Sequence, residues 1–373
     1  MTGGYHMKIL FVVCGEGLGH SSRCLHLAHY FQQQGHTTHF AAYGKSFDFI
    51  AQHGCSNIHR TIREVCLEGE NGFFSLKRTI WCSKWIVVNM IRSVLGIRHL
   101  IHTHAVDCVV CDTMFGGVIA ARFCKIPVVF ITNQNHFNGP GGTTNYAWKI
   151  LNFLLQRYLC LANHVIIPDY PPPDAVSEYN IVIPAGEERH YTYTGPFLDM
   201  HFEGYAFCQD CIFASFGGEP YKLPMYQMLK SIADKRKDLS FDVFYTEPVL
   251  PESSDNFISH GYVPNLYEHL AKARIAIVHG GLTTLHEALL FEKPVLIIMD
   301  PNHPEQQNNA KKIVDMKAGI SVDGRSVTKE VLDAKISETM TLSPKPFRME
   351  HAAINGRKNA YAVITALVSS RQP

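Results

Sequence analysis

Ile275-Ala-Ile-Val-His279-Gly-Gly-Leu-Thr283-Thr-Leu-His-Glu287-Ala-Leu289 is the stretch on which the fold turns. A short apolar run bounded by glycine reads as a buried strand, two glycines release the backbone into a tight turn, and Thr283 and Thr284 open an apolar-periodic helix. The first amides of a helix have no partner inside it, and with the helix dipole they favour an anion. The amides of Gly281 to Thr284 therefore suit a diphosphate. Glu287 follows one turn later on the ligand side, where a carboxylate can accept from both hydroxyls of a ribose.

Downstream, Lys293-Pro-Val-Leu-Ile-Ile-Met-Asp300-Pro-Asn-His-Pro-Glu305-Gln306-Gln-Asn-Asn309-Ala310 is a second strand ending in polar residues suited to sugar hydroxyls. Upstream, Ala214-Ser215-Phe-Gly217-Gly218 closes the first strand of this half and would face the same phosphates. Short apolar strands alternate with longer periodic segments along the whole chain, the pattern of βαβ units around parallel sheets. Strands are expected at 8–14, 37–42, 108–111, 127–132 and 164–168, and again at 211–216, 241–245, 275–278, 294–299 and 320–322. Gly195-Pro196 to Gln209 reads as the connection between two such halves. A length of 373 residues exceeds what one core usually supports, which agrees with two domains.

The first strand of the N-terminal half runs into Gly15-Glu-Gly17-Leu-Gly19-His20-Ser-Ser-Arg23. A dinucleotide-binding loop is the rival reading and fails twice. Position 20 is not glycine, and the second strand ends Ala41-Ala-Tyr43 without the acid that would hold a ribose. Gly44-Lys-Ser46 is not a phosphate loop either, since position 39 is histidine. What remains is His20 at a strand-to-helix turn, with Asp112 at the end of another strand, so both can face one crevice. An imidazole can take a proton from a hydroxyl, and a carboxylate behind it fixes the tautomer.

A net charge of +1 with 18% charged residues gives no basic footprint for nucleic acid. Eleven cysteines without a secretory signal suggest free thiols in a reducing cytosol. Cys108 and Cys111 lie three apart in a strand and point to opposite faces, so they cannot easily share a metal. Cys208 and Cys211 precede a strand. His99, His102 and His104 read as a wet helix end. Segments 81–101 and 146–161 are apolar and helical in spacing but carry Lys84, Arg92, Arg98, Lys149 and Arg157, which argues against a membrane span. Two readings of them stand: helices packed on the N-terminal sheet, or an amphipathic face at a membrane surface. In the latter, Trp81, Trp85, Ile86, Met90, Val94 and Ile97 share part of one helical face.

The ordered series His-Gly-Gly, Thr, Glu-Ala, Pro, Glu-Gln and Asn-Ala resembles the donor-binding region of GT-B nucleotide-sugar transferases, the group that includes the UDP-glycosyltransferases and the lipid II-forming GlcNAc transferase of peptidoglycan synthesis. The resemblance is strong over 261–319 and looser elsewhere. It implies an α/β chain of two Rossmann-like domains facing across a cleft, with residues 8–195 on the acceptor side, 196–345 binding the nucleotide sugar, and 346–373 returning as helix to the first domain. It implies that His279, Gly280, Gly281 and Thr283 hold the diphosphate with Ser215, Gly217 and Gly218, that Glu287 holds the ribose, that Glu305 and Gln306 hold the sugar, and that Tyr262 and Val263 clasp the base. His20 matches the base of the plant members and Asp112 its orienting aspartate, while Gly17 and Gly19 give the acceptor-side loop the form seen in the peptidoglycan enzyme, which does not share that aspartate.

No Asp-x-Asp triplet occurs, so no metal or other cofactor is expected. The expectation is a cytoplasmic, inverting glycosyltransferase, at the inner face of the membrane on the amphipathic reading, with a UDP-sugar donor and an unidentified acceptor, lipid-linked or part of a cell-envelope glycan. Three rivals share some of the signals: a UDP-sugar epimerase of the same fold, a non-catalytic nucleotide-sugar-binding protein, and an NAD-dependent oxidoreductase. Hinge motion is expected within 195–207.

Overall fold

A computed structural model describes residues 5–70, 73–138, 146–217, 222–245, 251–261, 263, 266–343, 347–351 and 353–371. The N-terminal half runs β1 (Lys8–Val13), α1 (Leu18–Gln33), β2 (Thr37–Ala42), α2 (Gly44–Gln52), β3 (Ile58–Arg60), a hairpin of β4 (Gly69–Glu70) and β5 (Phe73–Phe74), α3 (Leu76–Cys82), α4 (Ile86–His104), β6 (Cys108–Asp112), α5 (Phe115–Cys124), β7 (Val128–Ile131), α6 (Tyr146–Leu159), β8 (His164–Ile167) and β9 (Tyr191–Tyr193). The C-terminal half runs β10 (Cys211–Ser215), α7 (Leu223–Ala233), β11 (Ser240–Phe244), β12 (Phe257–His260), α8 (Tyr267–Lys272), β13 (Ile275–Val278), α9 (Leu282–Leu290), β14 (Val295–Met299), α10 (Pro304–Asp315), β15 (Gly319–Asp323), α11 (Lys329–Met340), α12 (Arg348–His351) and α13 (Gly356–Ser369).

Two parallel sheets result, in the order β3-β2-β1-β6-β7-β8-β9 and β12-β11-β10-β13-β14-β15. Helices cover both faces of each, which is why the central strands read as unbroken apolar runs such as Lys8–Val13 and Val295–Met299. In the first sheet Leu10, Val12 and Val109 pack toward α4, α5 and α6, whereas Ile9, Phe11 and Val110 pack toward α1 and α13. Ligands of open α/β sheets bind beyond the carboxyl ends of the strands where the strand order reverses. Here the order reverses between β1 and β6, and again between β10 and β13. His20 and Asp112 follow the first pair of strands; Gly217 and His279 follow the second.

The final segment breaks where a single helix was expected. α12 stops at His351, and α13, capped by the Asn355 side chain, carries Ala360, Ile364 and Val368 back onto the N-terminal core. Pro346 lies outside the described residues. At the turn, a side chain on Gly356 would lie 2.2 Å from the Gly195 carbonyl, so glycine is what lets the two segments meet. The 81–101 stretch is likewise two helices. α3 ends at Cys82 and α4 starts at Ile86, and the expected single stripe divides: Val94 and Ile97 enter the core while Trp81, Trp85 and Ile86 stay exposed. The free-thiol reading needs one correction, because Cys208 and Cys211 are joined as a disulfide; the other nine cysteines are thiols. Cys108 and Cys111 do fall on opposite faces of β6.

Candidate active site

The turn after β1 brings His20 into the first turn of α1. Gly17 sits at φ 83° before the helix, a conformation that favours glycine, and Gly15 passes so close to Tyr43 that a β-carbon there would lie 2.3 Å from its carbonyl oxygen. His20 Nδ1 lies 2.7 Å from Asp112 Oδ1. Asp112 is fully buried, and Arg23, one turn beyond His20, grips it with Nε to Oδ2 and Nη2 to Oδ1, both at 2.5 Å. Burial opposes ionisation of this carboxyl, but Arg23 and then His20 outweigh it and hold its pKa well below the usual carboxylate range. An ionised carboxylate only accepts, so Nδ1 of His20 must donate, and Nε2 is left with its lone pair. Arg23 Nη2 is also 3.0 Å from Nδ1, but a nitrogen that donates cannot accept, so that contact is packing.

Across the cleft, Ser215 ends β10 and Gly217 follows at φ 76°. His279 ends β13, Gly280 turns at φ 92°, and Gly281 precedes α9 with no side-chain cap among the described residues, which suits the first amides of α9 to a ligand. The His279 ring is wedged between glycines: β-carbons on Gly217 or Gly281 would approach it to 3.2 and 2.8 Å. Burial, with Lys222 and His303 nearby, lowers the His279 pKa to about 3, so in the empty protein this ring is neutral and shapes the turn. Thr283 lies in the first helical turn, and a β-carbon on Gly19 would stand 3.4 Å from its hydroxyl, which places the two glycine loops against each other.

Glu287 is 9% exposed and its carboxyl has no hydrogen-bond or ion-pair partner among the described residues; burial raises its pKa to about 8. Val263 is half-buried against the core of the C-terminal half. Gly218 and Tyr262 lie outside the described residues. Glu305 and Gln306, adjacent in the first turn of α10, part company. Glu305 Oε1 accepts from Asn133 of the N-terminal half at 2.7 Å, whereas Gln306 Oε1 accepts from the Asp300 amide at 3.2 Å. Asn309 Nδ2 donates to the Gly280 carbonyl at 2.9 Å and thereby holds the glycine turn.

Several residues here carried no assignment from sequence. Arg23 was visible as the i+3 neighbour of His20 on one helix face. Asn133 is the second residue of the polar run Thr132-Asn133-Gln134-Asn135 after β7, the strand beside β6. The β4–β5 hairpin left no signal. Its Phe74 amide donates to Asp300 Oδ2 at 2.5 Å and its Phe74 carbonyl accepts from Asn302 Nδ2 at 2.8 Å, so the hairpin docks on the end of β14. Asp300 also lies 3.5 Å from the buried Lys222 ammonium. The polar end of β14 thus also carries a contact with the other half of the chain.

Residues 235–364 match the glycosyltransferase family 28 C-terminal domain, and residues 7–162 match glycosyl transferase family 1. An uncharacterized glycosyltransferase of Methanosarcina acetivorans is 30% identical over 327 residues, covering 84% of this chain and 83% of that protein. A UDP-N-acetylglucosamine--N-acetylmuramyl-(pentapeptide) pyrophosphoryl-undecaprenol N-acetylglucosamine transferase of Synechocystis is 25% identical over 284 residues, covering 73% of each. Among solved structures, the glycotransferase of kitacinnamycin superposes with a TM-score of 0.69 over 98% of this chain and 100% of the other at 16% identity.

Proposed function

This chain belongs to the glycosyltransferases, in the GT-B fold, and on that premise we propose that it moves a sugar from a UDP-sugar to an acceptor hydroxyl with inversion and without a metal. The observation that carries the reading is the meeting of two half-sites. His20, with Asp112 behind it, stands on one side of the cleft, and the uncapped start of α9 stands on the other, with Gly19 against Thr283 between them.

In this reading the open amides of α9 and the turns at Ser215, Gly217 and Gly280 receive the diphosphate and stabilise its charge as it leaves. Glu287 accepts from the ribose. Glu305 and Gln306 lie toward the sugar, Gln306 through its hold on the backbone at Asp300. His20 Nε2 takes the acceptor proton as the hydroxyl attacks the anomeric carbon from the face opposite the nucleotide, which inverts that centre. Asp112, already neutralised by Arg23, fixes the imidazole tautomer more than it adds charge. UDP is favoured because the Synechocystis relative, by its name, uses a UDP-sugar.

That relative's name also specifies an undecaprenol-linked acceptor, and the surface of this chain supports a lipid-borne substrate. Trp81, Trp85 and Val87 are 73%, 61% and 69% exposed, and Ile150, Phe153 and Leu154 of α6 are exposed as well. Lys84 lies over the Trp81 ring and Arg157 over the Phe153 ring, at 5.5 and 5.4 Å. Neither 76–104 nor 146–161 contains an acidic residue. Exposed aromatics with cations and no acids form a surface suited to anionic lipid. Among the described residues no helix is long and apolar enough to cross a membrane, and in this reading the surface touches the membrane peripherally. The enzyme would then act at the cytoplasmic face. Hydrolysis and transfer measured across UDP-, dTDP- and GDP-sugars test the assignment: turnover of a UDP-sugar in preference to the others is expected, and turnover confined to another nucleotide would overturn it.

A further inference from the structure

Three imidazoles converge well away from the cleft. His39 of β2, His59 of β3 and His104, the last residue of α4, each bring one ring nitrogen within 4.8 Å of the other two. The ring centroids of His104 lie 4.3 Å from those of His39 and 4.8 Å from those of His59. The parallel register accounts for the grouping. His59 pairs with Ala41, and residues two apart on a strand share a face, so His39 and His59 project on the side where Ala41 meets α4. Ala105, left-handed at φ 49°, ends α4 at that point. His104 therefore leaves the wet helix end suggested by its neighbours His99 and His102, which are exposed.

Hydrogen bonds do not explain the cluster. His39 is 8% exposed, and its Nδ1 and the Nε2 of His59 are buried without a hydrogen-bond partner among the described residues. Buried polar atoms are nearly always satisfied, so each exception asks for a reason. The nearby rings can each offer a lone pair, and what a set of convergent lone pairs lacks is a Lewis acid.

We propose that His39, His59 and His104 bind one divalent transition metal ion of the zinc class, with water completing a tetrahedral shell. Three imidazoles and no carboxylate or thiolate match zinc, copper or nickel and not magnesium or calcium. Zn–N bonds of 2.0–2.1 Å place tetrahedral ligand nitrogens about 3.4 Å apart, so side-chain rotation of the order of 1 Å would close the set. The site would be structural. His39 pairs with Leu10, three residues below Val13, so it lies about 10 Å down the strands from the level of Asp112. An ion there would tie edge strand β3 to the end of α4. Lys8 of β1 bears on His39 with its positive charge and opposes the ion.

The test uses the full chain after chelation and dialysis, titrated with Zn²⁺ against a chromophoric competitor. One equivalent should bind and raise the thermal transition. His104→Asn and His59→Asn should each weaken binding by more than the roughly 10- to 100-fold that an outer-shell partner is worth, while circular dichroism confirms folding. Lys8→Met should tighten it. Co²⁺ in place of zinc should show the visible bands of a four-coordinate nitrogen site. Cys66, Glu68 and Cys82 form a separate group of convergent donors, so a thiolate-to-cobalt charge-transfer band, like no stoichiometric binding or binding unchanged in both histidine variants, would overturn the proposal.

Discussion

Asn133 Nδ2 donates to Glu305 Oε1 across the cleft at 2.7 Å, while Oδ1 of the same amide accepts from Arg23 Nη1 at 3.3 Å. A continuous path of polar contacts therefore runs from His20 through Asp112, Arg23 and Asn133 to the residue beside the donor. Asn133→Ala removes the middle of that path without touching either half-site. Hydrogen bonds to charged groups contribute about 1.5–3 kcal/mol, so kcat/KM should fall by about 10- to 150-fold, with a modest drop in melting temperature because Asn133 is buried and Arg23 loses one of its partners. A loss of less than about threefold would mean that Glu305 needs no anchor on the N-terminal half.

His20 and Asp112 should separate cleanly by measurement. His20→Ala, at a partly exposed position, should lower turnover by about 100- to 10,000-fold and leave both UDP affinity and stability near those of the parent. Asp112→Asn should also lower turnover but in addition cost about 3–5 kcal/mol of stability, because it strands the buried Arg23 guanidinium. The sign with pH follows: a carboxyl with depressed folded pKa contributes stability above its unfolded value of about 3.9 and loses it as pH falls toward the folded one. The parent should lose stability relative to Asp112→Asn on acidification below about pH 4. Equal melting temperatures for the two proteins at pH 7 would contradict the burial argument.

Glu287 predicts the opposite sign. Burial raises its pKa to about 8, so ionising it costs stability in the empty protein, and that cost grows from the unfolded value of about 4.3 up to the folded one. Ribose hydroxyls donate to the carboxylate and favour ionisation, so UDP binding should release a proton and tighten as pH rises from about 6 to 8. Glu287→Gln should bind UDP about 1–3 kcal/mol more weakly, lose that pH dependence, and melt at a higher temperature than the parent above pH 7. Calorimetry that finds equal UDP affinity would remove Glu287 from the ribose site.

The glycine turns were legible because glycine is required there: at Gly217 and Gly280 the backbone is left-handed, and a side chain on Gly281 would run into His279. Central strands were legible because burial on both faces leaves an apolar run bounded by turns. Edge strands such as β3, β9 and β12 were not, since half-buried residues like His59 and Thr192 resemble loop. The roles of Arg23, Asn133 and Asp300 depend on which strand ends become neighbours, and local periodicity carries no record of that. The break between α3 and α4 was not legible because both helices also carry apolar residues, such as Trp81, Ile86 and Val87, on faces that do not enter the core.

Chelation distinguishes chemistry from architecture. If the open amides of α9 carry the leaving-group charge, EDTA should leave the initial rate at 25 °C within about twofold of the untreated enzyme, whatever it does to thermal stability through a remote ion. Loss of activity restored by Mn²⁺ would show that the diphosphate needs a cation and that the amides do not suffice.

Membrane contact divides into two forces that salt separates. The cations Lys84, Arg92 and Arg98 are exposed, and at about 0.5 M salt the screening length falls to about 4 Å, so their attraction to anionic headgroups should largely vanish. Burial of Trp81, Trp85 and Val87 in the interface is apolar and escapes screening. Cosedimentation with anionic vesicles should therefore weaken with salt, and weaken at low salt when the three cations become Gln. Trp81→Ser with Trp85→Ser should instead reduce binding at both salt concentrations. Because Val94, Ile97 and Ile101 of α4 already pack against the sheet, none of these surface changes should unfold the protein. If vesicles fail to sediment the parent at either salt, the exposed aromatic face has another occupant and the acceptor need not be lipid-borne.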